Sequence, residues 1–110
     1  MKEKIERTLR YVEELFVKYG ARPVPGEGEK FHLRGTYCLD GTYYRAEADE
    51  FEEGWAIVIT ATDNPEYARF GLEDNIAGFP VDTPREQIEK EIRCVFGIDA
   101  YPDSPGDVTA

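Results

Sequence analysis

The sequence predicts a two-layer α+β domain in which two amphipathic helices cover one face of a three-stranded antiparallel meander. Apolar residues recur at helical spacing near both ends of the chain, strand-like runs fill the middle, and short turn sequences separate those runs. The predicted order is an N-terminal helix, three strands, an irregular loop with a short helix, and a C-terminal helix. Residues 1–98 are expected to form this single domain, and residues 99–110 a flexible C-terminal tail.

The N-terminal helix is predicted over residues 3–19. Its apolar residues recur every three or four positions and therefore share one face: Ile5, Leu9, Val12, Leu15, Phe16 and Tyr19. Gly20 is the expected end, because glycine readily adopts the left-handed conformation that closes helices. Residues 21–29 contain two prolines and two glycines, so an irregular connector is expected there.

Three strands are predicted between residues 31 and 62. The first, residues 31–39, alternates apolar and polar positions, and Asp40-Gly41 follows it directly. A two-residue Asp-Gly turn between two β-rich runs is a strong hairpin signal. The third strand, after a turn at residues 52–54, is apolar on both faces at its centre, which indicates cover on both sides or a central position in the sheet.

Residues 63–82 are predicted to form a short helical turn followed by a packed irregular loop. Asp63-Asn64-Pro65 can cap and open this turn, with Pro65 in the first helical position, and Gly71 is expected to end it. Residues 72–82 are predicted to be the irregular part.

The C-terminal helix is predicted over residues 84–96. Thr83 is the expected N-cap, and Glu86 completes the pattern of a capping box. The apolar face of this helix would be formed by Ile88, Ile92, Val95 and Phe96.

Charge limits the classes of partner. The chain has 13 Lys and Arg against 23 Asp and Glu, which gives a net charge of −10. Such a surface repels nucleic acid and anionic lipid, so neither is an expected partner. It favours solubility, and it can also attract a basic protein. No apolar run approaches the roughly 18 residues of a membrane span, and the N-terminus lacks the apolar core of a secretory signal. The cytoplasm is the expected location.

Catalytic and metal-binding groups are few in this sequence. His32 is the only histidine, and Arg34 on the same predicted strand face would lower its basicity. Cys38 and Cys94 have neither Cys-x-x-Cys nor zinc spacing. A single bridge between them is one alternative, and two reduced, partly buried thiols are the expectation for a reducing compartment. Phosphate-binding glycine motifs and the Asp-x-Asp-x-Asp-Gly calcium spacing are absent from the sequence. The sequence therefore predicts no catalytic residue, no metal site and no cofactor.

Carboxylates are concentrated in two stretches, residues 47–53 and residues 63–82. One interpretation is a solvated rim, since charged side chains are usually exposed. Another is an acidic patch that meets a basic partner, where charge would raise the association rate more than the affinity. A hydrolase would need two of these carboxylates facing each other across a cleft.

Tyrosine and tryptophan in the strands suggest a contact surface, because both are favoured as interface anchors. Tyr43 and Tyr44 point to opposite faces of one predicted strand, so only one of them can lie beneath the helices. The candidates for partner binding are Tyr43, Glu47, Trp55, Tyr67, Glu73 and Asp74.

Residues 63–96, DNPEYARFGLEDNIAGFPVDTPREQIEKEIRCVF, resemble part of a group of small single-domain bacterial proteins, many without an assigned activity. In these proteins a β-meander ends in an acidic segment of this kind before a final helix. Some acidic α+β domains of this size serve as immunity proteins for bacterial toxins. The resemblance implies an α+β fold and assigns no site residue.

Taken together, these features predict a small acidic, non-enzymatic domain that binds another protein. Two alternatives stay open: an immunity protein that neutralises a basic toxin, and a carboxylate-dependent enzyme that uses residues 63–82. A homodimer formed through the uncovered sheet face or a sheet edge is also open.

Overall fold

The computed structural model describes residues 1–24 and 35–99, without the side chains of residues 69 and 70. The elements along the chain are α1 (Lys2–Lys18), β1 (Arg22–Val24), β2 (Thr36–Leu39), β3 (Thr42–Phe51), β4 (Gly54–Thr62), α2 (Pro65–Phe70), β5 (Asp74–Pro80) and α3 (Arg85–Val95). All strand pairs are antiparallel, in the order β1-β2-β3-β4-β5. The α+β class and the two terminal helices are confirmed, whereas the sheet has five strands rather than three.

Helix α1 begins and ends within one residue of its predicted bounds. Its buried side chains, Leu9, Val12, Leu15 and Phe16, come from the predicted apolar face. Gly20 has a φ of 110°, and the N–H groups of Gly20 and Ala21 donate to the carbonyl oxygens of Val17 and Phe16. This is the Schellman arrangement that glycine favours at a helix end.

The Asp40-Gly41 hairpin is confirmed. Both residues have positive φ, 50° and 81°, and Leu39 pairs directly with Thr42. A two-residue turn with two positive φ values matches the right-handed twist of the flanking strands, which explains the preference for Asp-Gly here.

Strands β1 and β5 lie at the two ends of the strand order, where the sequence predicted a connector and an irregular loop. Both contain proline, Pro23 in β1 and Pro80 at the end of β5, and proline is tolerated in edge strands because it donates no hydrogen bond. In β5 the pairing with β4 also shifts between Ile59 and Thr60. This irregularity interrupts the alternation that would have predicted a strand.

Helix α2 is confirmed from cap to cap. The side chain of Asn64 accepts a hydrogen bond from the Glu66 N–H at 2.9 Å, Pro65 is the first helical residue, and Gly71 ends the helix with a φ of 71°.

The predicted capping box of α3 is wrong. Pro84 is the N-cap, and the hydroxyl of Thr83 donates to the Pro80 carbonyl oxygen at 2.7 Å.

The core lies between one face of the sheet and the two long helices. Phe16 and Ile92 from α1 and α3 are fully buried against Ile57 and Ile59 of β4. Tyr44 belongs to this core, with its ring centroid 4.8 Å from that of Phe96, so Tyr43 occupies the opposite face. Both helices thus cover the same face, as predicted.

Two predictions fall mostly outside the described residues. The predicted strand at 31–34, with His32, is one of them, and the tail at 100–110 is the other. Asp99 is described, and its carboxylate accepts hydrogen bonds from the Arg93 guanidinium at 2.6 and 3.0 Å.

Candidate functional site

The sheet face opposite α1 and α3 is called the outer face here. Strand alternation and register assign it Tyr43, Arg45, Glu47, Asp49 and Phe51 of β3, with Ala56, Val58, Thr60 and Thr62 of β4. These residues divide into an ion-paired half near Arg45 and an apolar half near Phe51. The two halves differ in burial and in the chemistry they offer.

Arg45 is the centre of the ion-paired half and is only 2% exposed. Its Nη1 donates to Glu73, and its Nε and Nη2 donate to Oε2 of Glu47 at 3.1 and 2.6 Å. The Glu73 side chain is 1% exposed and that of Glu47 is 34% exposed. The guanidinium is therefore engaged by two carboxylates and is not directed at an external ligand.

Glu73 reaches Arg45 because the connection from β4 to β5 passes through α2, which packs on β4. Oε1 of Glu73 is buried and has no hydrogen-bond partner within the described residues. A buried ion pair costs desolvation energy, and its attraction repays that cost only with good geometry. This pair fixes the α2–β5 connection to the outer face.

The apolar half of the outer face contains a groove of about 310 Å³, called the hairpin groove here. Its lining comes from the β3–β4 hairpin and from β5: Phe51, Glu53, Gly54, Trp55, Ala56, Val58, Gly78, Phe79 and Pro80. Gly78 leaves the space open beside Val58. A Cβ added at Gly78 would lie 3.4 Å from the Ile57 carbonyl oxygen and 4.0 Å from Cγ2 of Val58.

Phe51 is 50% exposed and stands within a run of carboxylates in the sequence. Asp49, Glu50, Glu52 and Glu53 flank it in sequence and are all exposed. Residues 46–68 contain seven Asp and Glu and no Lys, Arg or His. The hairpin groove is therefore an apolar surface close to many carboxylates. Because residues 46–68 supply no positive charge to balance these carboxylates, the region attracts a basic group.

The six predicted partner-binding residues lie in three places. Trp55 lines the hairpin groove, and Tyr43, Glu47 and Glu73 belong to the ion-paired half or lie beside it. Tyr67 and Asp74 are exposed, on α2 and at the start of β5. The structure brings Glu47 and Glu73 together around Arg45, and it does not gather all six into one surface.

Several residues of the groove escaped the sequence analysis. Phe51 carried a usable signal, since it stands on the polar side of the β3 alternation and within a run of acids. Gly78 and Pro80 carried none, because their segment was predicted to be a loop.

Other reactive groups show no convergence within the described chain. Cys38 and Cys94 are free and half-buried, and burial raises the pKa of the Cys94 thiol. Among the residues that the structure describes, no group of three or more His, Cys, Asp or Glu is arranged to hold a metal ion. Over the same residues, no helix is long and apolar enough to span a membrane.

The carboxylates of residues 63–82 differ in exposure. Asp63, Glu66, Asp74 and Asp82 are exposed, whereas Glu73 is buried against Arg45. An enzyme with paired carboxylates in this segment would need two of them across one cleft, and this alternative stays a prediction.

Comparison with known proteins finds no family model, no curated protein and no solved structure that matches this chain.

Proposed function

We propose that this chain is a protein-binding domain whose hairpin groove receives an apolar side chain from a basic segment of a partner protein. The observation that carries the proposal is the half-exposed ring of Phe51 beside an apolar groove and among exposed carboxylates. Exposed apolar surface rimmed by polar groups is typical of protein interaction sites.

The apolar and acidic parts would contribute differently to binding. Burial of apolar surface stabilises a complex by about 25 cal/mol per Å² before the costs of association, so Phe51 and the groove floor would supply the affinity. The exposed carboxylates would raise the association rate of a cationic partner and would do so less at high salt. A basic toxin, the partner implied by the resemblance, is one protein with this chemistry.

The first test compares Phe51→Ala with Val17→Ala. Val17 is 51% exposed on α1, away from the groove, so both variants remove a similarly exposed apolar side chain. The probe is a synthetic peptide that alternates Lys with Leu, titrated into ¹⁵N-labelled protein. We expect Phe51→Ala to weaken binding about tenfold, as loss of an aromatic hot spot does, and Val17→Ala to leave it unchanged.

The second test separates local from total charge. Glu53→Lys and Glu14→Lys change the net charge equally, and both side chains are exposed, but only Glu53 lines the hairpin groove. We expect the Glu53 variant to slow association several-fold more than the Glu14 variant at low salt. Equal effects of the two charge reversals, or chemical shift changes spread over the whole acidic surface, would contradict a specific site.

A further inference from the structure

A pocket of about 270 Å³ lies between the first turns of α1 and α3, on the helical side of the molecule. It is called the basic pocket here, and it is lined by Lys4, Arg7, Thr8, Tyr11, Val81, Asp82, Thr83, Pro84, Arg85 and Ile88. Three cations and one carboxylate line it, in a chain that has ten more acids than bases. The charged side chains of its lining are therefore mostly cationic, although the chain as a whole is acidic.

The three cations of the basic pocket come from two helices and line the same pocket. Lys4 and Arg7 lie on successive turns of α1, and Arg85 is the first residue of α3. Within the described chain no ion pair joins any of them to a carboxylate. Asp82, the one acid of the lining, is exposed and is not paired with them.

Arg85 is held in place by Tyr11. Its guanidinium carbon lies 4.4 Å from the centre of the Tyr11 ring, and the Tyr11 hydroxyl donates to the Arg85 carbonyl oxygen at 3.4 Å. Stacking on an aromatic ring leaves the planar edge of a guanidinium free to donate two parallel hydrogen bonds to an oxyanion. Because the side chain is already positioned, less conformational entropy is lost when an anion binds.

The start of α3 also suits an oxyanion, whereas the two threonine hydroxyls of the lining donate their protons elsewhere. Thr8 and Thr83 contribute hydroxyl groups to the lining. The Thr8 hydroxyl donates to the Lys4 carbonyl oxygen at 2.8 Å, and the Thr83 hydroxyl donates to the Pro80 carbonyl oxygen at 2.7 Å. The side-chain donors for an anion in this pocket are therefore the three cations and not the two hydroxyl groups. The start of α3 has no side-chain cap, so its first N–H groups add partial positive charge there.

We propose that the basic pocket binds a small oxyanion, namely the phosphate group of a small phosphorylated molecule. Arginine geometry matches phosphate oxygens, and the volume accommodates a phosphate with a short organic substituent. The overall negative charge opposes the approach of any anion, but at about 0.1 M salt the Debye length is only about 10 Å, so the nearby cations dominate. This proposal does not depend on the hairpin groove.

The test titrates inorganic phosphate, then glycerol phosphate, into ¹⁵N-labelled protein at constant ionic strength of about 0.1 M with chloride as the balancing anion. We expect saturable shifts at residues 4–11 and 82–86, and tighter binding of glycerol phosphate than of phosphate alone. Arg7→Gln should weaken binding about tenfold, because a charge-assisted hydrogen bond is lost. The matched control is Arg10→Gln, an exposed arginine of the same helix outside this pocket.

A second variant, Phe51→Ala, separates the two proposals, since it should leave phosphate binding unchanged while it weakens peptide binding. Phosphate shifts that do not saturate, that map outside the basic pocket, or that fall equally in Arg7→Gln and Arg10→Gln would overturn the proposal. Equal affinity for inorganic phosphate and glycerol phosphate would overturn the part that concerns the organic substituent.

Discussion

At the scale of single residues, Arg45 shows how tertiary contacts change the environment of a strand position. Alternation places it on the outer face, where arginine is usually solvated. Instead its side chain is almost completely buried, because the α2–β5 connection places Glu73 against it. Glu47, two residues further along the same strand, accepts a second set of hydrogen bonds from the Arg45 guanidinium.

The cluster around Arg45 gives the first stability prediction. Glu73→Gln removes a buried charge and leaves the guanidinium with one partly exposed partner, so we expect a loss of about 3–5 kcal/mol in unfolding free energy. Glu47→Gln should cost about 1 kcal/mol or less, because the Glu47 carboxylate is one-third exposed. Urea denaturation followed by Trp55 fluorescence measures both. Similar small losses in the two variants would show that the Arg45–Glu73 pair does not hold the connection in place.

At the scale of elements, α1 and α3 are joined by a polar network in addition to the core. Glu89 of α3 accepts hydrogen bonds from Lys18 Nζ at 2.7 Å and from the Tyr19 hydroxyl at 2.5 Å. Arg93 donates to the Tyr19 hydroxyl at 3.3 Å. The carboxylate of Glu89 therefore links the end of α1 to the middle of α3.

This network predicts a pH dependence of stability. The Lys18 hydrogen bond, followed by that of Tyr19, lowers the pKa of Glu89 from its ordinary value of 4.5. Its contribution is therefore complete above pH 4.5 and is lost as the pH falls through the lowered pKa. Glu89→Gln should reduce the thermal midpoint at pH 7, and the gap from the unmodified protein should narrow below pH 4.5.

Thermal unfolding at pH 7, 5, 4 and 3 checks this prediction. Glu86→Gln is the matched control, since Glu86 is an exposed acid in the first turn of the same helix. If the gap between Glu89→Gln and the unmodified protein is the same at every pH, Glu89 does not titrate with the folding equilibrium.

At the scale of the whole molecule, charge is unevenly distributed. The chain carries −10 in total, the β3–β4 hairpin is strongly acidic, and the basic pocket collects three cations without acidic partners among the described residues. The described residues span 45 × 33 × 26 Å. At 0.01 M salt the Debye length is about 30 Å, so most of the acids repel one another across the molecule.

Salt is therefore expected to stabilise the protein. Raising NaCl from 0.01 M to 0.15 M shortens the Debye length to about 8 Å and screens this repulsion. We expect the thermal midpoint to rise by a few degrees, since about 1 kcal/mol shifts it by roughly 4–8 °C in a domain of this size. Glu14→Lys reduces the net negative charge and should therefore reduce the rise of the thermal midpoint with salt. A midpoint that falls with added salt would mean that attractive ion pairs outweigh the net repulsion.

Both long helices, the short helix α2 and the Asp40-Gly41 hairpin could be predicted because their signals are local. Periodic apolar residues, Asn64 and Pro65 at a helix start, and glycines at helix ends act through neighbouring backbone. The capping of α3 was missed, because the helix begins at Arg85, one residue later than predicted, so that Pro84 and not Thr83 occupies the N-cap position. A shift of one residue at a helix end is not decided by the residue pattern.

Tertiary pairing alone decided the edge strands and the candidate sites. β1 and β5 are strands because β2 and β4 offer them hydrogen bonds, although their own prolines argue against it. The hairpin groove brings Phe51 and Pro80 into one lining, and the basic pocket brings Arg7 and Arg85 into another. Tertiary contacts of this kind depend on how the whole chain folds between residues that are distant in sequence. Helices and turns depend on the conformational preferences of residues that are adjacent in sequence.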